Sequence, residues 1–319
     1  MRRVLIPGLA SASLALSALS LACLPEAAAS KTYTLPSKET WKVGDAVTRI
    51  ETQKQVQKQT VTAGGQVVQQ GDETVATEFE GVLEVKEVNA AGEYTRAVAF
   101  IKSWRQTKGD DVDESLTGAH VELRGAGSAR TATILTPGLE PSEDAAKWLD
   151  EELGTKAGSK QGKADDVFNP GRPVAVGESW NPDMAKVAAL FGGDDGEGLT
   201  FDRAASTAKL TLKEVVGDLA TIAIEFDLRV SPIVTPAGEL PWKEGGLMTV
   251  RAEMRKSLTA SNHVGSAKMK AELVGKAGNE QFDLVLDVQI DNTGEMKAGG
   301  KRSEERRVGK EGRSRWSPY

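Results

Sequence analysis

A strict alternation of apolar and polar residues in the second half of the chain limits the possible folds more than any other feature. From Thr221 to Val230 every even-numbered residue is apolar, and Asp227 and Arg229 lie among the odd-numbered ones. A period of two is typical of a strand with one buried and one solvated face. The same pattern recurs at 248–254, 267–274 and 282–290. It predicts a mainly β protein built from antiparallel meander sheets.

The first half has weaker strand patterns, rich in Gln, Thr, Val and Glu. Strands are predicted at 47–61, 75–88 and 94–104. Turns are expected where Gly and Asn cluster between them. These strands place the first half in the same fold class as the second.

Two short amphipathic helices are predicted between the strands. Ser142 can cap the first, whose apolar residues recur at i, i+3, i+4 and i+8 before Gly154. Asn181-Pro182 opens the second, which ends at Gly192-Gly193. Each helix has one apolar stripe, which we expect to cover part of a sheet.

The halves of the chain contain similar short segments, which suggests that they are related. Leu83–Val88 resembles Leu210–Val215, and each precedes a turn and a strand with a Phe. A Val-Gly-acid sequence lies beside a Trp both at Trp41–Asp45 and at Val176–Trp180. The polar stretch from Gly154 to Asp166 is the best boundary. We therefore divide the chain into an N-terminal β-half, 30–160, and a C-terminal β-meander half, 161–301.

The first 29 residues have the features of a secretory signal peptide. Arg2 and Arg3 precede an apolar run, and Ala27-Ala28-Ala29 offers a cleavage site. Export places the protein in the periplasm or outside the cell, with no transmembrane segment in the mature chain. Lipid anchoring through Cys23 is the alternative, but Leu19 lies one position too early for the usual acylation motif. Because Cys23 is the only cysteine, cleavage after Ala29 leaves no thiol for a disulfide or a nucleophile.

The last 18 residues, 302–319, closely resemble the translated read-through of a common sequencing adapter, with Gly312 as the one departure. We treat this segment as a non-native tail and exclude it from the fold. Without the signal peptide and this tail, 32 Lys and Arg face 42 Asp and Glu, a net charge of −10. This negative balance argues against nucleic acid as a partner.

The segment from Pro173 to Trp180 resembles a short sequence motif of exported bacterial β-rich proteins that are assigned only to domains of unknown function. The resemblance implies an exported compartment and a β-rich architecture. It implies no functional residue.

Two acidic loops are the only candidates for a metal site in the sequence. Hard cations such as Ca²⁺ prefer clustered carboxylates next to glycine. Solvated loops are the alternative, because neither segment has the spacing of an EF-hand. The candidate ligands are Asp110, Asp111, Asp113, Asp194 and Asp195. The two histidines, His120 and His263, lack metal-binding spacing, and no motif indicates a catalytic residue or a cofactor.

The apolar strand faces give the clearest hypothesis about function. A sheet with a helix over it could enclose a hydrophobic ligand, or the same residues could form a filled core. The candidate lining is Ile222, Ile224, Phe226, Leu228, Met248, Met254, Phe282 and Leu284.

We therefore expect an exported, non-catalytic binding or envelope-associated protein, with a hydrophobic small molecule or an envelope protein as partner. The alternative is an extracytoplasmic hydrolase, which would require convergent carboxylates or a site centred on a histidine in a cleft. Whether His120 or His263 lies in a pocket beside acids would test it.

Overall fold

A computed structural model describes residues 31–36, 38–154, 167–191, 200–235, 238–280 and 282–299. The chain divides into two compact units, Met1–Lys31 and Thr32–Tyr319, and all the elements below belong to the second. The predicted signal peptide with Cys23, most of the boundary segment and the tail at 302–319 lie outside the described residues. Asp194 and Asp195 lie outside them as well.

Most described residues belong to strands, which confirms the predicted fold class. The strands are β1 Thr32–Tyr33, β2 Ala46–Ala63, β3 Gln66–Val88, β4 Tyr94–Lys108, β5 Asp111–Asp113, β6 His120–Arg124, β7 Thr131–Ile134, β8 Val174–Ala175, β9 Ser179–Trp180, β10 Phe201–Val216, β11 Leu219–Val230, β12 Ile233–Thr235, β13 Gly238–Leu240, β14 Trp242–Ser257, β15 Gly265–Gly278 and β16 Phe282–Ala298. Both predicted helices are present, as α1 Glu143–Glu152 and α2 Met184–Phe191.

One antiparallel sheet contains twelve of these strands. Its order is β7-β6-β4-β3-β2-β16-β15-β14-β11-β10-β9, and β5 pairs with β4 at the side. The last long strand, β16, pairs with the first, β2, over the full register from Phe282 opposite Ala63 to Ala298 opposite Val47. Both meanders therefore join into one continuous sheet, with the two smaller pairs β1-β8 and β12-β13 outside it.

Two hydrophobic cores lie on one face of this sheet. Even-numbered residues of β16 lie on this face: Val288 and Ile290 pack against the second-half core, and Met296 lines the cleft of the first half that is described below. The first-half core contains Trp104 and Ile101 of β4, which are both fully buried. The alternation read from the sequence thus selects the face on which both cores form.

Helix α1 covers the first-half core as its apolar stripe predicts. Ser142 is the N-cap, and its Oγ accepts a hydrogen bond from the backbone N–H of Ala145. Ala145, Trp148 and Leu149 are the buried residues of the helix. In the second half, Val187 of α2 is fully buried and packs into the other core.

The repeated Val-Gly-acid segments have the same local structure in both halves. The Gly44 N–H donates to the Val85 carbonyl (2.9 Å), and the Gly177 N–H donates to the Leu212 carbonyl (2.7 Å). Both glycines have a positive φ, +89° and +85°, which favours glycine at this turn. In return, the Val85 N–H donates to the Asp45 backbone carbonyl (2.8 Å), and the Leu212 N–H donates to the Glu178 backbone carbonyl (3.0 Å).

These bonds fix which residues of the two halves correspond. In the first half Leu83 pairs with Val47, and at the equivalent position of the second half Leu210 pairs with Trp180. On the following strands, Leu83 lies opposite Ala99, and Leu210 lies opposite Ile224.

The two phenylalanines noted in the sequence do not correspond. In this register Ile101, rather than Phe100, takes the position of Phe226. Phe100 therefore faces the other side of the sheet.

Candidate functional site

A cleft of about 280 Å³ lies in the first half, between the sheet and the C-terminal end of α1. Apolar side chains from five strands, and Leu153 at the end of α1, form its wall, and charged side chains lie among them. The lining residues are Glu39, Trp41, Val47, Arg49, Phe79, Gly81, Val82, Leu83, Tyr94, Ala99, Leu123, Arg130, Glu151, Glu152, Leu153 and Met296. The volume is close to the lower end of the range for small-molecule sites.

Smaller side chains than in the second half leave room for this cleft. Val47 takes the place that Trp180 has in the second half, and Ala99 takes the place of Ile224. Trp180 and Ile224 are both buried in the second-half core. Because protein interiors are normally close-packed, the loss of this much side-chain volume opens space unless a neighbour fills it. The cleft is therefore a local property of the first half.

Arg49 crosses the cleft from β2 to the end of α1. Its Nη2 donates to Glu51 Oε2 (2.5 Å) and to Glu152 Oε2 (2.6 Å), and its Nη1 donates to the Glu152 carbonyl (3.2 Å). Burial by itself lowers the pKa of Arg49, but the charges of Glu51 and Glu152 outweigh burial and raise it. The guanidinium also lies over the Phe79 ring at 5.7 Å. This cation fixes the helix end against the sheet.

A second buried arginine, Arg130, also lines the cleft. Arg130 is 7% exposed, and its Cζ lies 4.5 Å from the centre of the Tyr94 ring. Burial raises the pKa of the Tyr94 hydroxyl; the positive charges of Arg130 and Arg49 oppose that rise, and Glu39 adds to it. Tyr94 therefore keeps its proton at neutral pH and presents a hydroxyl donor in the cleft.

A buried histidine lies behind the cleft wall. His263 is 4% exposed, and its ring stacks on the indole of Trp41 with centroids 3.5 Å apart and 7° between planes. Nδ1 lies 3.4 Å from Glu39 Oε2, and Nε2 lies 3.7 Å from Asp45 Oδ2. Neither nitrogen nor Glu39 Oε2 makes a hydrogen bond with the described residues. We call His263, Glu39 and Asp45 the histidine cluster.

The residues predicted to line a ligand site lie elsewhere, on the same face of the sheet. Ile222, Ile224, Phe226, Leu228 and Met248 are buried in the close-packed second-half core, and Met254 packs against it. Phe282 and Leu284 are half-buried on β16 and belong to neither core. None of the eight lines the cleft. The alternation identified the apolar face, and larger side chains fill that face in the second half.

In the first acidic loop, which contains Asp110, Asp111 and Asp113, one carboxylate has a structural role. Asp113 accepts hydrogen bonds from the Ser115 N–H (2.8 Å) and from the Ser142 hydroxyl. Burial alone would raise the pKa of Asp113, but the bonds from Ser142 and Ser115 outweigh it and lower the pKa. Asp110 and Asp111 are exposed.

No group of three or more His, Cys, Asp or Glu among the described residues could hold a metal ion. The other histidine, His120, lies half-buried beside Phe100, with ring centroids 4.8 Å apart.

A second depression, of about 390 Å³, lies between the start of α2 and strands β10, β11 and β14. Its lining includes Lys209, Glu225, Asp227 and Arg251. Arg251 and Asp227 form an exposed ion pair over 2.7 Å. Its walls are more polar than those of the cleft, so it is a weaker candidate for an apolar ligand.

Sequence reasoning missed Arg49, Arg130 and Tyr94 as cleft residues. The available signal was the comparison of the two halves, in which Val47 and Ala99 replace larger residues. That comparison requires the strand register, which the sequence motifs alone left undetermined.

Comparisons with known proteins give little further information. No family model matches the chain, and no curated protein matches it. Among solved structures, a lipovitellin structure concerned with lipid–protein interactions is 9% identical with a TM-score of 0.34. The alignment covers 82% of this chain but only 26% of that one. Likeness at this level carries no argument about function.

The fold and the cleft together define a mainly β protein with one antiparallel sheet and a small, partly apolar cavity under a helix end. Among the described residues, no helix has both the length and the apolar character needed to cross a bilayer.

Proposed function

We propose that the protein is an exported binding protein that holds a small hydrophobic molecule in the cleft of its first half. The observation that carries the proposal is the opening left by Val47 and Ala99 at positions where the second half has Trp180 and Ile224. The two halves of the sheet share the same turn bonds, but the space over these positions is filled in the second half and open in the first. An open position in an otherwise close-packed fold is what a ligand site requires.

The chemistry of the cleft indicates a ligand with an apolar body and at least one polar group. Phe79, Leu123 and Met296 supply apolar surface, and methionine adapts to flexible ligands. Tyr94 also lines the cleft, and its hydroxyl is a potential hydrogen-bond donor. The arginines and glutamates nearly balance in charge, so burial of apolar surface supplies most of the affinity.

Export is part of the proposal because the first 29 residues have the pattern of a signal peptide. The partner in this account is a hydrophobic small molecule of the periplasm or the cell exterior, and delivery to an envelope protein is compatible with it. The acidic balance of the remaining chain supports no role with nucleic acid.

An observation in favour of the hydrolase alternative is that His263 lies beside two acids. However, both ring nitrogens are buried and face carboxylates, and His263 does not line the cleft. A general base must reach the proton it removes from a nucleophile. The geometry therefore supports binding better than hydrolysis.

The proposal is tested by filling the cleft. Ala99→Leu places three more carbons on the cleft wall, where Ile224 stands in the other half. We expect the variant to lose most of its binding of the neutral fluorescent probe N-phenyl-1-naphthylamine. The matched control is Ala223→Leu, the same change on the half-exposed opposite face of β11. Equal probe affinity in both variants and the parent would refute the cleft as the site.

A further inference from the structure

The histidine cluster connects the loop after β14 to the segment that forms one wall of the cleft. The Thr40 N–H donates to the Ala260 carbonyl over 2.8 Å, and the His263 ring lies flat on Trp41. Trp41 also meets Tyr94 edge to face, with centroids 5.5 Å apart. The His263 ring thus contacts Trp41, which in turn contacts Tyr94, and both of these aromatic residues line the cleft.

The cluster cannot satisfy both ring nitrogens while the imidazole is neutral. A neutral ring has one N–H and one lone pair, whereas Glu39 and Asp45 both present acceptor oxygens to it. If Nδ1 carries the proton and donates to Glu39, the Nε2 lone pair faces Asp45 Oδ2, which already accepts a hydrogen bond from the Lys42 N–H over 2.8 Å. A protonated ring donates on both sides and turns both contacts into charge-assisted hydrogen bonds.

The other charged groups around the loop are engaged elsewhere. Asp218 accepts hydrogen bonds from Ser257 (2.8 Å) and Asn262 (3.0 Å) on either side of the loop. Glu93, in the turn that accepts the Trp41 N–H, pairs with Lys38 at 3.7 Å. Lys42 is exposed. Among the described residues, Glu39 and Asp45 are therefore the charged groups within ion-pair distance of the ring.

We propose that His263 is a positioning residue for the cleft wall, and that its protonation fixes Trp41 and Glu39 in the geometry that binds the ligand. The inference rests on the proposed function for its ligand. Imidazoles change charge between about pH 5 and pH 8, so affinity rises as the medium becomes mildly acidic. Linkage requires the converse as well: the bound ligand favours the protonated ring.

The first test measures N-phenyl-1-naphthylamine affinity of the full-length protein at about pH 5.5 and about pH 7.5. We expect a Kd about fivefold lower at the acidic pH, the low end of typical coupling between two sites. His120→Gln should keep that difference, because His120 lies outside the cluster. His263→Gln should bind with one affinity at both values. A pH dependence that survives in His263→Gln would overturn the inference.

Asp45→Asn provides a second test if His263→Gln does not fold. Asp45 lies outside the cleft lining, and Asn has the same shape as Asp. Removing one carboxylate beside the ring should move the midpoint of the pH dependence to lower pH. An unchanged midpoint would contradict the inference.

Nuclear magnetic resonance separates this inference from the proposed function. The sequence has two histidines, so His263→Gln assigns both ring signals. The Trp41 indole N–H signal should titrate together with His263 even without a ligand. A probe that does not bind at either pH would refute the proposed function alone, whereas a Trp41 signal that ignores His263 would refute the positioning role.

Discussion

Ala99→Leu tests whether the cleft is open, because an open cleft predicts a rise in the free energy of unfolding and a filled core predicts a fall. Leu adds three carbons to a side chain that lines a volume of about 280 Å³. Full burial would contribute about 0.8 kcal/mol per carbon, and the partial opening of the cleft to solvent reduces the sum to about 1–2 kcal/mol of stabilisation. Overpacking of a filled core would instead cost about 1–3 kcal/mol.

The assay is equilibrium unfolding in urea, followed by circular dichroism. We expect a higher midpoint with an unchanged slope, since the slope reports the surface exposed on unfolding. Ile224→Ala is the reciprocal change in the filled half and should cost about 2–5 kcal/mol. Destabilisation of Ala99→Leu by more than about 1 kcal/mol would refute the argument that the first half is open where the second is filled.

Three further predictions concern the framework of the cleft. Arg49→Met leaves the half-buried Glu152 carboxylate without its cation. The free energy of unfolding in urea should fall by about 1–3 kcal/mol, and amide exchange at the end of α1 should become faster. An unchanged free energy of unfolding would contradict a stabilising role for the ion pair. Ser142→Ala removes the cap on the Ala145 N–H and should lower stability by about 1 kcal/mol in the same assay, while an unchanged midpoint would argue against the cap. A hydrogen bond from the Ala175 N–H, and to a smaller extent Arg172, lowers the pKa of Glu178. The ionised Glu178 therefore stabilises the fold at pH values above the ordinary carboxylate pKa, and this stabilisation is lost as the pH falls through the pKa of Glu178 in the folded protein. The difference in urea midpoint between the parent and Glu178→Gln should therefore shrink from about pH 7 to about pH 3, and a difference that is constant over this range would refute the assignment.

Much of the fold could be predicted from the sequence because its signals are local. Alternation determines which residues of β11 and β14 to β16 are buried, and Ser142 marks the start of α1. Long-range pairing has no such signal. The contact of β16 with β2 joins residues near opposite ends of the chain, and the polar faces of β2 carry little alternation.

The site was harder to predict, for a different reason. A strand period tells which face is apolar, but it does not tell whether the space above that face is filled. Ala99 marks an opening only when its counterpart Ile224 is known. His263 is equally uninformative in the sequence, because its stacking on Trp41 depends on a loop and a segment that are far apart along the chain.

Native mass spectrometry of the exported protein, isolated from a bacterial periplasm, tests the central claim most directly. The same sample is measured under denaturing conditions, and Ala99→Leu serves as the comparison. We predict an excess mass that accompanies the folded protein, is lost on denaturation, and is reduced in the variant. A bare polypeptide mass, both as isolated and after incubation with a bacterial lipid extract, would contradict the claim that the cleft holds a hydrophobic ligand.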